Sequence, residues 1–366
     1  MAEKLTALAD ELIGGRAGDW DGAGAIPLEL IRSAGAAGLL CAQVPAEYGG
    51  PGLSSADNGE LTAHVGGLCS SFRSLMTSQG MAAWAIQRLG GLRQRQEYLP
   101  RLTGGELAAV AFSEPQAGSD LSAITTSIET DGDSIVLTGQ KVWTTGATYA
   151  DLIVVFGRLG DGAAAVVVPT SAPGVTIERI AAPLGCRAAG HANVTFDSVR
   201  LPATCLLGGA GQSVALVVTA ALTYGRLSVA WGCAGILRSC LREVTRFART
   251  REQFGERIGG HQLVARHIAG LLVDERTATR AAEHASHCWD ERSPDMIIAA
   301  VQAKYVASTQ ASRGAATAVQ VLASAGAHDG SAVARAYRDA KLMEIIEGST
   351  EICQLILADH ALSTTA

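Results

Sequence analysis

The chain has 366 residues, with 29 Lys and Arg against 35 Asp and Glu, a formal charge of −6 and a pI near 5.8. That balance offers no general attraction to nucleic acid or to an anionic membrane surface. Charged residues are 17% and mean hydropathy is +0.21, which excludes disorder and leads us to expect surface covered by other copies of the chain. At about 150 residues per unit the length predicts two to three structural units, with a core that needs no disulfide or metal staple.

Residues 2–13 read as an amphipathic helix, and residues 27–36 as a second with Pro27 at its first position. Residues 45–53 are dense in turn formers and read as a loop. Residues 54–89 read as one long helix capped by Ser54 or Ser55. Beyond residue 113 the character changes. Short β-branched runs at 134–137, 152–155, 163–168, 175–180 and 194–196 are separated by Asp131-Gly132-Asp133, Gly160-Asp161-Gly162, Pro173-Gly174 and Ala189-Gly190. This spacing predicts a β-sandwich or barrel, because the gaps are too short for helical crossovers. Helical periodicity returns after about residue 211, with Ile236, Leu237, Cys240, Leu241, Val244 and Phe247 on one face. Ser293-Pro294-Asp295 reads as a cap, a first-turn proline and a first-turn acid opening an Ala-rich helix through Val321. The expected fold class is α+β and multidomain. A helical domain spans 1–112, a β-barrel or sandwich 113–208, and a four-helix-bundle domain 209–366.

The eight cysteines form no C-x-x-C pair and read as small buried hydrophobes, with no metal site expected. The near-apolar stretch 213–224 is too short to span a membrane, which takes about 20 residues. The N-terminus carries acids where a signal peptide carries a basic start, so a cytoplasmic protein is expected.

Three segments carry chemistry. In Ala111-Phe-Ser-Glu-Pro-Gln-Ala-Gly-Ser-Asp120, Gly118 permits close backbone approach, and Ser113 and Ser119 can donate to an anion or carbonyl. The same residues also fit a capped turn at a domain junction. In Gln140-Lys-Val-Trp-Thr-Thr-Gly-Ala147, a Trp and two Thr hydroxyls suit one face of a flat heteroaromatic ring, or equally a strand with a core Trp. In Arg338-Asp-Ala-Lys-Leu-Met-Glu-Ile-Ile-Glu347-Gly-Ser-Thr-Glu-Ile352, Glu347 sits among apolar neighbours. Gly348 can stop one helix, and Ser349 or Thr350 can cap the next. A carboxylate at such a break has a raised pKa if it is buried, and is an ordinary exposed helix-end Glu if it is not.

Order and wording of these segments resemble the acyl-CoA dehydrogenase family across nearly the whole chain. So do residues 45–53, Gly91-Leu-Arg-Gln-Arg-Gln-Glu-Tyr-Leu-Pro-Arg-Leu102, Leu184-Gly-Cys-Arg187, residues 194–202, Arg251-Glu-Gln-Phe-Gly255, His261-Gln262 and residues 320–339. The resemblance implies three domains, FAD as cofactor, an acyl thioester substrate on coenzyme A or acyl carrier protein, and Glu347 as the base that removes the α-proton. It implies that Phe112, Ser113, Gly118 and Ser119 lie along flavin or thioester and that Trp143, Thr144 and Thr145 cover the flavin ring. Arg251, Phe254, Gln320 and Gly326 are implied to reach the FAD of a neighbouring subunit, Gln253 and Gln262 to contact the cofactor, and Ser349 and Glu351 to approach the adenosine side. Ser119, Arg226 and Gly348 are the implied substrate contacts. A homodimer or homotetramer follows, with an electron-transferring flavoprotein as the expected acceptor. Some relatives place the base just before a helical arginine; here that position is Gly225, which has no carboxylate. Ala323 stands where the family usually has glycine. The sequence looks most like the carrier-protein-linked dehydrogenases that make methoxymalonyl-type polyketide extender units. The other readings are a catabolic short- or branched-chain acyl-CoA dehydrogenase, a flavin oxidase or monooxygenase of the same fold, and a non-catalytic scaffold.

Overall fold

The computed structural model describes residues 1–209 and 212–364. Residues 210, 211, 365 and 366 lie outside them. The chain opens with α1 (Ala2–Ile13), α2 (Ala17–Ala23), α3 (Leu28–Ala36), α4 (Ser55–Leu68), α5 (Ser70–Leu89) and α6 (Leu92–Thr103). Strands β1 (Ala108–Ala111), β2 (Ser127–Asp131), β3 (Ser134–Thr144), β4 (Leu152–Leu159), β5 (Gly162–Pro169), β6 (Val175–Arg179), β7 (Ala192–Pro202) and β8 (Leu206–Leu207) follow. The remainder is α7 (Val214–Thr250), a hairpin of β9 (Glu252–Gln253) and β10 (Glu256–Arg257), α8 (Gln262–Asp290), α9 (Met296–Leu322), α10 (Ala332–Met343) and α11 (Thr350–Thr364).

The single helix expected over 54–89 is two. Ser54 Oγ accepts the Asp57 N–H at 3.0 Å and starts α4. At Cys69 the backbone turns extended, and Cys69 Sγ accepts the Phe72 N–H to start α5. Cysteine is not among the strong capping residues, so the sequence does not announce this break. The helix expected from Ser293 begins later, at Met296, because Ser293 Oγ accepts the Asp295 N–H in a preceding turn.

The strands form one sheet in the order β6-β7-β3-β2-β4-β5-β8, with β1 also paired to β4. Strand β1 corrects the expectation of helix up to residue 112. It lies parallel to β4, from Ala108 opposite Leu152 to Ala111 opposite Val155. The β2–β3 hairpin supplies the crossover, so parallel pairing arises here without a helix. Strands β4 and β5 are buried on both faces. Val154, Phe156, Ala165 and Val167 face the helical core. Ile153, Val155, Ala164 and Val166 pack in a second apolar layer with Ile135, Leu137, Val194 and Phe196.

Helix α7 is the axis of the molecule, packing against α4, α5, α8 and α9. Small residues allow the close approach. A Cβ added at Gly235 would strike the Ala63 carbonyl of α4. The eight cysteines are free and buried. Among the described residues no helix is long and apolar enough to cross a membrane.

Helix α9 ends at Ala323, whose φ of 52° and ψ of −133° belong to glycine's territory. A Cβ held in such a region costs about 1–3 kcal/mol. Ala323→Gly relieves that strain and loosens the unfolded chain, which offsets part of the gain. The expected net is about 1 kcal/mol of added stability, read as a higher midpoint in urea; an unchanged or lower midpoint contradicts the assignment of strain.

Candidate active site

Helix α10 stops at Met343, and a turn over residues 344–348 leads to α11. Glu347 in this turn has φ 57° and Gly348 has φ 97°, so both take left-handed backbone. For Gly348 that is free, whereas for Glu347 it is strained and must be held from outside. Three groups hold it. Arg226 Nε on α7 donates to the Glu347 carbonyl at 3.1 Å. Lys304 Nζ on α9 donates to the Gly348 carbonyl at 2.6 Å and the Glu344 carbonyl at 3.2 Å. Ser349 Oγ accepts the Ile352 N–H at 3.4 Å and caps α11. Among the described residues the Glu347 N–H has no hydrogen-bond partner.

The Glu347 side chain points at α7. A Cβ added at Gly225 would strike its carboxylate, and would lie 2.8 Å from Met81 Sδ. Oε2 is shut off from solvent and has no hydrogen-bond partner among the described residues. Burial pushes this carboxyl up to about 7, against the pull of Arg226, Lys304 and Arg73. Burial also lowers the pKa of Arg226 and of Lys304. Neither makes an ion pair with a carboxylate among the described residues, so they act on the turn through its carbonyls.

A second group comes from the sheet. Between Lys141 and Thr144, β3 gains one residue on β7, a bulge in which Trp143 takes φ 57°. A bulge re-aims side chains. Trp143 emerges 53% exposed, while Thr144 turns inward with a buried Oγ1 that has no partner. Thr145 Oγ1 meets His191 Nδ1 at 3.2 Å, and His191 Nε2 is buried and unpaired. Burial, helped by the Arg73 charge, pushes the imidazole down to about 4, so it is neutral at physiological pH. A neutral imidazole presents one donor and one acceptor. An apolar plate beside two unsatisfied polar atoms fits a flat ring edged with N and O atoms, as a flavin is.

The Ala111–Asp120 segment is anchored from below. Glu114 is buried and accepts from Lys141 Nζ at 2.7 Å and from the Thr125 and Thr126 N–H groups at 2.7 and 3.0 Å. Burial alone would raise its carboxyl; these bonds outweigh it and hold it near 2. Lys141 Nζ also donates to the Phe112 carbonyl, and the Phe112 ring stacks on Phe156 at 4.4 Å. The Ser113 carbonyl accepts the Val142 N–H, tying the segment to β3. Gly118 and Ser119 lie exposed beyond this anchor.

The remaining sequence-derived residues lie on other elements, except Glu351, which is in the first turn of α11 directly after this turn. Arg251 and Gln253 are exposed at the β9–β10 hairpin, and Gln262 at the start of α8. Phe254, at the hairpin tip, is 96% exposed with φ 56° and meets only the edge of His261 among aromatic rings. Gln320 is exposed at the end of α9, Gly326 is buried just beyond it, and Glu351 is exposed on α11. Sequence reasoning missed His191, Lys304 and Arg73. For Lys304 a signal exists: it interrupts a stripe of small residues, Ala300, Ala303, Ala307 and Ala311, on the buried face of α9.

Sequence models of the N-terminal, middle and C-terminal domains of the acyl-CoA dehydrogenases match residues 1–106, 109–199 and 215–362. A probable acyl-CoA dehydrogenase of Bacillus subtilis is 32% identical over 350 residues, 93% of this chain and 92% of its own. The human mitochondrial short-chain specific acyl-CoA dehydrogenase is 31% identical over 343 residues, 92% of this chain and 83% of its own. Among solved structures, FkbI, described as acting in biosynthesis of the methoxymalonyl extender unit of the FK520 polyketide, superposes with a TM-score of 0.94. It is 58% identical, covering 98% of this chain and 99% of its own.

The raised Glu347 pKa has a consequence for stability. Between the ordinary carboxyl value of 4.5 and about 7, the folded chain binds a proton that the unfolded chain has lost, so stability falls as pH rises through this window. Glu347→Gln removes the term. At pH 8 the variant is expected to be more stable than the parent by about 3 kcal/mol, and at pH 4.5 about equal. Equal stability at both pH values contradicts the burial argument.

Proposed function

This chain belongs to the acyl-CoA dehydrogenase family, FAD-dependent oxidoreductases acting on acyl thioesters, and we propose that Glu347 is its base and an acyl-carrier-protein thioester its substrate. The observation that carries the first part is the sealed, unpaired Glu347 Oε2 with its carboxyl near 7. A base tuned near the working pH is ionised often enough to act and basic enough to take the proton. Gly225, beneath it, brings no carboxylate of its own to the site.

In this reading the thioester lies with its α-carbon against Glu347. The unpartnered Glu347 N–H donates to the thioester carbonyl and stabilises the charge that develops as the α-proton leaves. Arg226 and Lys304 keep that N–H and the carboxylate in register by gripping the turn's carbonyls. FAD, when bound, accepts the β-hydrogen as hydride. Trp143, Thr144, Thr145 and His191 form one wall for its ring, with Phe112, Ser113, Gly118 and Ser119 beside it. Gly348 and Arg226 face the substrate, and Ser349 and Glu351 the adenosine side.

The carrier-protein assignment is supported by the 58% identity to FkbI, against about 30% for the curated coenzyme A enzymes. The proposed product serves a methoxymalonyl-type extender unit. Anaerobic titration of the FAD-loaded enzyme with matched short acyl groups on the two carriers tests it. Bleaching by the carrier-protein forms is expected; equal bleaching by the coenzyme A forms moves the enzyme to catabolic oxidation. Glu347→Gln is expected to retain FAD and slow bleaching by about 10²-fold or more. Unslowed bleaching removes Glu347 as the base.

The enzyme is proposed to be a homodimer or a dimer of dimers with FAD shared between subunits, passing electrons to an electron-transferring flavoprotein. The support is Phe254, a large apolar side chain held almost fully exposed on left-handed backbone, beside exposed Arg251, Gln253 and Gln262. Gln320 extends the surface offered to the neighbouring FAD, with Gly326 buried just beyond it in the chain. Arg251→Ala with Phe254→Ala is expected to release FAD or split the oligomer in gel filtration. An intact yellow oligomer contradicts the shared site.

A further inference from the structure

Helices α5 and α7 run antiparallel beside the Glu347 turn. Met81 lies at Gly225 under the carboxylate, and Thr77 Oγ1 meets Ser228 Oγ at 2.6 Å. One turn further back along α5, the Arg73 side chain lies on Gly232, where an added Cβ would sit 2.9 Å from its Cδ and Nε. These contacts fill the seam in that direction. A thioester with its α-carbon at Glu347 therefore sends its arm the other way, along the residues that follow Met81 on α5. From Met81 to Arg88 that helix advances about 10 Å, and it ends at Leu89.

The junction of α5 and α6 stands at that end. The Leu89 carbonyl accepts the Gly208 N–H at 3.0 Å, and Gln94 Nε2 donates to the Thr204 and Leu206 carbonyls at 2.7 and 2.8 Å. The Gly91 N–H donates to Gln94 Oε1 at 2.8 Å and fixes the first turn of α6. The junction is thus bonded to the segment that leads into α7. Leu92 on it is 64% exposed, between exposed Arg88 and Arg93, with Arg95 half-buried. Arg88 lies over the Trp84 ring at 5.6 Å, and Arg95 Nε donates to the Gly90 carbonyl at 2.9 Å. None of these three arginines makes an ion pair among the described residues, whereas Arg101 on the same helix is paired with Glu106. The chain carries no Asp or Glu between Glu60 and Glu97. In a protein of net charge −6 this is a locally cationic surface with an apolar centre. Apolar surface held in the open on fixed backbone and rimmed by free charge is the anatomy of a protein interface.

We propose that the α5–α6 junction is the docking surface for an acyl carrier protein with an acidic face. Leu92 takes an apolar contact, and Arg88, Arg93 and Arg95 meet carboxylates of the carrier. These arginines have no internal ion pair to give up on docking, so their charge is free to steer the encounter and select the partner. The inference rests on the carrier-protein reading of the substrate, and it takes the α-carbon to lie at Glu347.

The test is anaerobic calorimetry of the FAD-loaded enzyme with a butyryl group on three carriers: an acidic acyl carrier protein, coenzyme A, and pantetheine alone, an arm without charge. Arg88→Glu with Arg93→Glu is expected to weaken the carrier-protein form about tenfold or more relative to the pantetheine form. Leu92→Ser is expected to lower the same ratio by less. Raising salt from about 0.05 M to about 0.5 M is expected to weaken the carrier-protein form of the parent selectively. Carrier-protein binding that ignores both salt and the double variant overturns the surface and leaves the carrier reading intact. An equal loss for the coenzyme A form means that the junction reads phosphate, and also overturns it. Binding of the coenzyme A form without the carrier-protein form, or of neither, overturns the carrier reading together with the surface.

Discussion

A carboxylate without a partner organises this molecule. Glu347 Oε2 is buried, accepts no hydrogen bond and lies against Gly225. Nearby cations could have neutralised it directly and drawn its pKa down. Instead Arg226 and Lys304 spend their donors on the carbonyls of Glu344, Glu347 and Gly348. The cations thus fix the backbone of the turn and leave the carboxylate reactive. Strain at Glu347, a left-handed residue that is not glycine, is held by the same contacts. Under the proposal that Glu347 is the base, stability is given up locally to keep it poised, as functional sites commonly do.

Two helices hold the turn, and the sheet carries a second group of candidate residues. Helix α7 contributes both Gly225 and Arg226, so one residue step supplies the space for the carboxylate and the grip on its carbonyl. Helix α9 contributes Lys304 from an otherwise small-residue stripe. In the sheet, the bulge at Trp143 follows Lys141, whose buried pair with Glu114 braces the strand from below. Removing one partner of such a pair strands a buried charge, so the brace is all-or-none.

The order helices, sheet, helices is legible in the sequence, because hydrophobic period and turn residues change sharply near residues 113 and 211. Glu347 is legible too, from Gly348 and Ser349 closing one helix and opening another. What escapes are features set by tertiary contact. Strand β1 is four small residues whose identity as a strand depends on β4 beside it. The break at Cys69 uses a thiol as a cap. Strands β3 and β7 run on through an irregularity in which β7 gains a residue near Ser198, opposite Leu137–Gly139, and are longer than the short β-branched runs predict. Lys304, Arg73 and His191 are ordinary letters until the fold buries them.

The central claim is that the protein sets the Glu347 carboxyl near neutral pH by burying it unpaired. Difference infrared titration of the FAD-loaded enzyme against its Glu347→Gln variant isolates the protonated carboxyl band of that one residue. A midpoint near 7 is the predicted result. A midpoint near the ordinary value of 4.5 would mean that water or a cation reaches Oε2, and the account of a sealed, poised base would be wrong.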